Sequence, residues 1–481
     1  MRSSEAIWEG IVAMLVVYLI IWVIDIMGWK RLSRLLWSKV AVAGAPDYIV
    51  SVAARKLVTS GAIAEAEKLC REHLRYRPAI RVGRILINVL LRDGRAKEAA
   101  EVARTLVKAH PENPWVRFLW GDIHYFFMND QDTARAIYYE ALDVARRSPD
   151  SRKALKIAYK RVYPFLEKEG RYEEAAKILE EFMLTRASNF HDVEFLALYN
   201  ILRQLGRLSE AREVLREGIK AYPPSKDLRK AWEESGFEGG EDLPPIPARG
   251  KPVPPGVAVT PVKTRLFTEV DDPIPAVASV VTDVLPGDIV TVSSCVTGVM
   301  EGRFLMEGSW KPGYLARFFS GLVDQKNPPY GGAAPMANPL SMQLLVEEIG
   351  TLRLLLAAVA GALGKLFGKK GWFYVVAGPD SALIDDVPGS LPPYDYYCVM
   401  GPENSFRFSE KLSCALGCGA AVIDANDAGI AWAVGYSRGL NKEWLEEVMS
   451  SNPAGNQEQR TPIVVLRVEK EPSLSRRNLS S

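Results

Sequence analysis

Apolar residues recur at helical spacing from about residue 47 to residue 235, and this pattern repeats along the chain. In five places a glycine or asparagine turn is followed, five residues later, by an alanine. The turn residues are Gly61, Gly94, Asn129, Gly170 and Gly206, and the alanines are Ala66, Ala99, Ala134, Ala175 and Ala211. Glycine and asparagine supply left-handed turns, and alanine lets two antiparallel helices approach closely. The pattern therefore predicts a series of helix–turn–helix units over residues 47–235.

The repeat length is close to that of a known family of helical hairpins. Successive alanines of the pattern are separated by 33, 35, 41 and 36 residues. Pro78, Pro111 and Pro223 each lie twelve residues after an alanine, where a helix should end. This arrangement resembles the tetratricopeptide repeat (TPR), whose period is about 34 residues. The resemblance implies that the repeats bind a protein partner. An unrelated all-α solenoid is the alternative, and its stacked helix pairs would also present a docking surface.

The N-terminal part of the chain carries an apolar run that is uncharged from Gly10 to Ile24. With some tilting it approaches the roughly 20 residues that cross a bilayer, so we predict a single span over residues 10–26. Basic residues follow the run and acidic residues precede it, which favours the cell membrane with the bulk of the chain cytoplasmic. A cleaved signal peptide ending near Ala41-Val42-Ala43 is the alternative, but no basic segment precedes the run. Residues 1–46 are therefore interpreted as a membrane anchor with a basic juxtamembrane helix.

Residues 263–470 alternate between strand and helix patterns and are expected to form an α/β or α+β domain. The predicted strands include Asp288–Val292, Phe373–Val376, Ala420–Ile423 and Ile463–Val468. A single long helix is predicted over Met342–Phe367, and its uncharged part, Leu354–Gly364, is too short to span a bilayer and is expected to be buried. The proline-rich residues 236–262 are expected to be a linker, and residues 471–481 a disordered tail. The chain as a whole is thus predicted to be a multidomain protein.

Composition and charge narrow the classes of function. A net charge of +2 gives no reason to expect a nucleic-acid partner. The five cysteines form no disulfide framework and suit a reducing compartment. All four histidines precede residue 200, which excludes histidine ligands and a histidine-dependent catalytic triad from the C-terminal half.

Two of the predicted strands are followed by small and acidic residues. Gly378 and Asp380 come after the first of these strands, and Asp424, Asn426 and Asp427 come after the second. Carboxylates at neighbouring strand ends commonly hold hard cations and the phosphates that those cations carry. The alternative is that they are ordinary turn residues, since aspartate, asparagine and glycine favour turns for local reasons.

An ordered set of strings in the C-terminal domain resembles the γ-glutamyl ligase of the deazaflavin coenzyme F-420. The strings are VKTRLFTEVDD, PGDIVTVSSCVTGVMEGR, AGPDSALIDD, VIDANDAG and TPIVVLRV. The resemblance implies a GTP-dependent reaction that also requires a divalent metal, Mn²⁺ or Mg²⁺, and that joins glutamate to a coenzyme carboxylate. It further implies that Asp380, Asp424 and Asn426 bind the metal. Glu301, Gly302 and Arg303, together with Gly378, would bind substrate or phosphate.

The chain departs from this family where charge matters. Val299 occupies the position of an expected lysine, Val376 that of an asparagine, and Asp427-Ala428 that of a Gly-Arg pair. The loss of basic residues and the gain of an acid oppose the binding of a nucleotide triphosphate. Two classes of function therefore remain: a membrane-tethered ligase, or a scaffold whose ligase-like domain only binds a ligand.

Overall fold

The computed structural model describes residues 16, 20, 45–147, 151–184, 192–223, 225–238, 242–245, 252–309, 311–323, 335–368, 371–378, 381, 383–384, 392–426, 429–455 and 460–468. Most of the predicted membrane span and the whole predicted tail lie outside these residues, as do Asp380 and Asp427. Most of the predicted linker is described, and its last six residues, Val257–Val262, form a β-strand. The chain divides into two compact units, residues 1–131 with 308–310 and residues 132–307 with 311–481.

Eleven α-helices are described between residues 47 and 235. In the first unit these are α1 (Asp47–Thr59), α2 (Ile63–Tyr76), α3 (Ile80–Arg92), α4 (Ala96–Ala109) and α5 (Pro114–Asp122), and a π-helical turn, Ile123–Phe127, follows. In the second unit they are α6 (Gln131–Arg147), α7 (Ser151–Lys168), α8 (Tyr172–Leu184), α9 (Asp192–Gln204), α10 (Leu208–Ala221) and α11 (Lys226–Ser235).

The helical repeats confirm the turn prediction at each of the five positions. The five turn residues adopt left-handed backbone angles, with φ between 55° at Asn129 and 82° at Gly61. All five alanines of the pattern are fully buried. Helices α2, α4 and α10 each end two residues before the predicted proline. Neighbouring helices pack against each other within each unit, for example α3 against α4 and α9 against α10, as helical hairpins do.

In three of the repeats, an ion pair of the same kind joins the turn to the helix that follows it. In each, an arginine follows the turn glycine and binds the glutamate three residues further on, in the first turn of the helix. The pairs are Arg95–Glu98, Arg171–Glu174 and Arg207–Glu210. Each arginine also binds a glutamate elsewhere in the repeats: Glu67, Glu169 and Glu180 respectively. These exposed pairs fix the turn geometry more than they add stability.

The C-terminal part contains a mixed five-stranded sheet in the order β1-β7-β2-β5-β6. Its strands are β1 (Val257–Val262), β2 (Ile289–Ser293), β5 (Gly419–Asn426), β6 (Ile430–Tyr436) and β7 (Ile463–Val468). Strands β2 and β5 are parallel, and the other neighbours are antiparallel. A two-stranded sheet pairs β3 (Phe304–Met306) with β4 (Tyr397–Val399). The strands predicted at residues 288–292, 420–423 and 463–468 are confirmed, and the region combines helices with a mixed sheet, as the predicted α/β or α+β class requires.

Both faces of the five-stranded sheet are buried. Alternate residues such as Val290 and Val422 face a cluster that includes α12 (Pro273–Val280) and α18 (Ser405–Leu416). Their neighbours, such as Ile289 and Ala421, face a second cluster built on α19 (Lys442–Met449). Because side chains alternate along a strand, the central strands are apolar on both sides.

The helix predicted over Met342–Phe367 is two helices. Helix α15 (Pro339–Ile349) ends at Gly350, whose φ is 78°, and α16 (Thr351–Leu366) begins beyond it at an angle of 114°. The prediction was wrong because the apolar periodicity runs through a glycine that takes a conformation no helix contains. Within the described residues no single helix is both long enough and apolar enough to cross a bilayer, although this bent pair meets the requirement jointly.

Two further predictions for this region were wrong. Within Leu354–Gly364, Leu354, Ala357 and Gly364 are buried, but Leu356 and Val359 are exposed. The segment predicted as the strand Phe373–Val376 is instead the short helix α17 (Trp372–Ala377). The helix lies between Gly371 and Gly378, whose φ angles are 94° and 102°. Phe373 and Val376 are three residues apart in sequence, and both pack against the same hydrophobic core. A short apolar run fits either structure, and here the flanking glycines favour a helical turn.

Candidate functional site

The parallel strands β2 and β5 bring a hydroxyl and a carboxylate together at their carboxyl ends. Ile423 pairs with Ser293 in the sheet, so Asp424 and Ser294 lie one residue further along. Ser294 is buried and begins helix α13 (Ser294–Met300), and its side chain hydrogen-bonds that of Asp424. The carboxyl ends of parallel strands are a common place for ligands in sheets of this kind.

The pKa of Asp424 is raised above its ordinary value. Burial among protein atoms raises this pKa, and the hydrogen bond with Ser294 lowers it in part. The residue nevertheless keeps an exposed surface, because it follows the buried Ile423 near the end of β5. Among the described residues, Asp424 is therefore an exposed aspartate whose carboxylate is hydrogen-bonded by the Ser294 hydroxyl.

The metal-ligand prediction assumed that the candidate ligands follow the ends of two strands, and the structure does not have that arrangement. Asp424 and Asn426 lie within β5 rather than after it, and the segment before Asp380 is a helix. The Asn426 side-chain oxygen accepts a hydrogen bond from the Ile430 amide at 3.3 Å, which helps to close the β5–β6 turn. Asp380 itself lies outside the described residues. Among the residues that are described, no three His, Cys, Asp or Glu side chains are grouped as a metal site.

The Glu-Gly-Arg string lies at the opposite end of α13 from Ser294. The Glu301 carboxylate accepts a hydrogen bond from the Glu403 amide at 2.8 Å, and Gly302 takes a left-handed turn with a φ of 69°. The Arg303 guanidinium donates to the Gly401 carbonyl at 2.8 Å and lies 4.0 Å from the Glu348 carboxylate. The seven-residue helix sets these groups about 10 Å from its first residue. They join the end of α13 to β3 and β4.

Gly378 also has a structural role, at the carboxyl end of helix α17. It ends α17, and a methyl group at its position would come within 3.1 Å of the Arg353 guanidinium. Arg353 donates to the carbonyl of Val376 at 2.8 Å, so this arginine closes the carboxyl end of the short helix. The sequence-predicted residues therefore fall into three places: the β2–β5 edge, the end of α13 and the end of α17.

Sequence reasoning missed a buried ion pair in the second unit. Arg161 of α7 donates two hydrogen bonds to the Asp395 carboxylate, at 2.9 Å and 2.7 Å. Both side chains are buried, at 3% and 1% exposure. Burial raises the pKa of Asp395, but attraction to Arg161 and its hydrogen bonds outweigh that effect and hold the pKa below its ordinary value. The available signal was an aspartate within the aromatic string PPYDYYCV, where an unpaired charge would be costly.

A second ion pair joins the same helix to the C-terminal part of the unit. The Lys153 ammonium lies 2.7 Å from the Glu307 carboxylate, just after β3. The Arg161 guanidinium also lies over the ring of Tyr396, 5.9 Å from its centre. Helix α7 is thus tied to the segments around β3 and β4 through two carboxylates and an aromatic ring.

Comparison with known proteins finds similar solved structures, two of which are described as TPR proteins. No protein-family model and no curated protein matches the chain. Among solved structures, it is similar to YrrB, described as a TPR protein with an unusual peptide-binding site. That likeness has 16% identity and a TM-score of 0.29, and covers 38% of this chain and 91% of YrrB.

Two other TPR-region neighbours show a similar level of likeness. PilF of Pseudomonas aeruginosa shares 16% identity at a TM-score of 0.32, over 46% of this chain and 97% of PilF. A thermophilic TPR protein of Thermus thermophilus shares 17% identity at a TM-score of 0.24, over 38% and 94% of the two chains. Likeness at these scores carries no functional argument by itself. The turns and buried alanines of the chain itself show TPR-like helical repeats in the N-terminal half, followed by a C-terminal region of helices and a mixed β-sheet.

Proposed function

We propose that this chain is a membrane-tethered scaffold whose TPR-like repeats bind a protein partner. The observation that carries the proposal is the series of five left-handed turns, each followed by a fully buried alanine. Stacked helix pairs of this kind leave one face of each pair for docking, and binding to other proteins is their usual role. The tether is the predicted span over residues 10–26, with the bulk of the chain in the cytoplasm at the cell membrane.

The scaffold also accounts for the C-terminal residues better than catalysis does. The glutamate, glycine and arginine of residues 301–303 make backbone contacts that shape the α13–β3 connection. Arg353 and Gly378 shape the end of α17. These residues have structural tasks that need no bound nucleotide.

Photo-crosslinking in cells tests the scaffold. A photoreactive amino acid is placed at Leu208, an exposed position in the repeats, and at Leu285 in the C-terminal part as a control. The two side chains are 56% and 55% exposed, so an encounter by chance should modify both equally. We expect a discrete crosslinked species from the repeat position alone. Equal crosslinking at both positions, or none at any exposed repeat position tried, would contradict the proposal.

The second candidate is the glutamate ligase, and one observation favours it. The carboxylate of Asp424 lies beside Ser294 at the carboxyl ends of two parallel strands, where nucleotide-binding sheets commonly bind ligands. In this candidate Asp380, Asp424 and Asn426 would hold Mn²⁺ or Mg²⁺, which would neutralise the phosphates of GTP. Glu301, Gly302, Arg303 and Gly378 would bind substrate or phosphate.

Calorimetry on the full-length protein separates the two candidates. Mn²⁺, GTP and the two together are titrated into wild type, Asp424→Asn and Asp283→Asn, the last being an exposed carboxylate of the same region. A ligase predicts that metal and GTP bind more tightly together than separately, and that Asp424→Asn weakens the metal about tenfold or more. The scaffold predicts no coupled binding and the same response in all three proteins.

A further inference from the structure

Helix α16 carries its large apolar side chains on the outside. Its inner side contributes Leu354 and Ala357 to the core formed with α15 and α17. Small residues allow this packing, since a methyl group at Gly361 would lie 3.1 Å from the Phe373 side chain. The outer side, called here the apolar face, is formed by Leu352, Leu356, Val359, Leu363, Leu366 and Phe367, which are 44–78% exposed. An ordinary surface helix shows the opposite arrangement.

The apolar face continues onto α17. Val375 is 78% exposed and Trp372 is partly exposed, and the ring of Trp372 lies 6.4 Å from that of Phe367. A contiguous exposed surface of leucines with aromatic residues at one end exceeds the scattered apolar residues of a normal protein surface. Such a surface requires something to cover it.

The charged residues in the sequence of this segment point to an anionic partner. From Gly350 to Pro379 the sequence contains no Asp or Glu, and its charged residues are Arg353, Lys365, Lys369 and Lys370. Lysine and arginine beside an apolar helix face, with tryptophan at its edge, are the combination found in helices that lie in the membrane interface. Basic residues add attraction to anionic headgroups.

The geometry excludes a transmembrane arrangement for this pair of helices. Leu340, Leu344 and Leu345 of α15 are buried within the protein core, and α16 turns away from α15 by 114°. Only one side of α16 is therefore open to lipid, which fits a helix that lies along a bilayer and does not cross it.

We infer that the apolar face of α16 and α17 lies in the interfacial region of an anionic lipid bilayer, as a second membrane contact. The inference deepens the membrane-tethered function proposed above, but the apolar face on which it stands consists of described residues and does not include the N-terminal apolar run. This second contact would hold the C-terminal region against the membrane, whereas the N-terminal tether alone would leave that region free to move away.

A labelling experiment on full-length protein in vesicles tests this inference. An environment-sensitive fluorophore is attached to a cysteine at Leu356 or, as a control, at Leu285, because these side chains are 56% and 55% exposed. The background variant is Cys414→Ser, since Cys414 is the exposed cysteine, and label on this background alone is subtracted. The vesicles contain phosphatidylcholine with or without phosphatidylglycerol, and a lipid carrying a nitroxide serves as quencher in both leaflets.

We expect severalfold stronger quenching at Leu356→Cys than at Leu285→Cys, and stronger quenching with phosphatidylglycerol than without it. Adding Lys365→Glu to Leu356→Cys should reduce the effect of phosphatidylglycerol. Equal quenching at the two positions would overturn the inference, and if the protein still sedimented with the vesicles the N-terminal tether would stand. Excimer emission from pyrene at Leu356→Cys, which reports a second copy of the chain on the face, would also overturn it.

Discussion

After replacement of Arg161 by methionine, the segment around β4 should open far more readily than after an ordinary surface substitution. Methionine keeps the apolar stem of the side chain but removes the two hydrogen bonds to Asp395. The Asp395 carboxylate is 1% exposed, so the variant leaves a buried charge without its partner. Breaking a buried pair in this way typically costs about 3–5 kcal/mol.

The matched control is Arg104→Met in the helical repeats. Arg104 binds Glu101 at 2.6 Å, but the two side chains are 46% and 65% exposed. Pairs exposed to this extent typically contribute about 0.2–1 kcal/mol because solvent screens them. The structure therefore predicts a difference of at least about 2 kcal/mol between two substitutions of identical chemistry.

Thiol trapping of Cys398 provides a local assay. This cysteine is fully buried, three residues after Asp395, and reacts with an alkylating reagent only when its surroundings open. Its alkylation is followed by mass spectrometry in increasing urea for wild type, Arg161→Met, Arg104→Met and the double variant Arg161→Met/Asp395→Leu. The double variant should recover much of the loss, because it leaves no unpaired charge.

Acid should reveal the same interaction. The folded-state pKa of Asp395 lies below its ordinary value, so its contribution is complete above the unfolded pKa of about 3.9 and is lost as pH falls through the folded pKa. In wild type, the structure around Cys398 should therefore open more readily below about pH 4. Asp395→Asn should lack this acid-dependent component. The reasoning is refuted if Arg161→Met and Arg104→Met open the surroundings of Cys398 equally, or if the double variant opens them more readily than Arg161→Met does.

Three further outcomes follow from local geometry. Leu356→Asp should change the urea unfolding of the detergent-solubilised protein by about 0.5 kcal/mol or less, whereas Leu354→Asp should cost several kcal/mol, because only Leu354 is buried. Gly298→Ala should prevent soluble expression or unfold α13, because its methyl group would overlap the Met400 carbonyl oxygen. Gly321 is the last residue of α14 (Tyr314–Gly321), where an added methyl group would have no neighbour within 4 Å. Gly321→Ala should therefore be neutral or stabilising by up to about 1 kcal/mol, measured by the same unfolding assay.

The parts of the fold that sequence predicted correctly are those decided by neighbours in the chain. A glycine or asparagine between two helical patterns can be recognised as a left-handed turn without knowing what lies around it, as Gly94 and Asn129 show. Strands β2, β5 and β7 were recognisable because apolar, β-branched runs of four to eight residues form buried strands. Gly350 shows the limit of this reasoning, because helical periodicity on both sides of it concealed a turn.

The apolarity of α16 shows a second limit. Its residues are apolar on every side, and from sequence this is the same pattern whether the outer side meets protein or lipid. The burial prediction failed because it considered only the length needed to cross a bilayer and not the possibility of a helix lying along one. The distribution of charge was the better signal, since a helix enclosed by protein has no need of exclusively basic neighbours.

The candidate site failed to assemble for a related reason. Asp380 and Asp424 were predicted to lie close together because each follows a predicted strand in the sequence. The neighbours of a carboxylate, however, depend on which elements the fold brings side by side. The segment before Asp380 is the helix α17, and Asp424 faces Ser294, a residue 130 positions away that no local pattern connects to it. Asp395 and Arg161 are 234 residues apart and form a buried pair with two hydrogen bonds. Asp395 and Asp424 therefore find their partners through long-range packing, and the chemistry of Asp424 has to be established by measuring what binds beside Ser294.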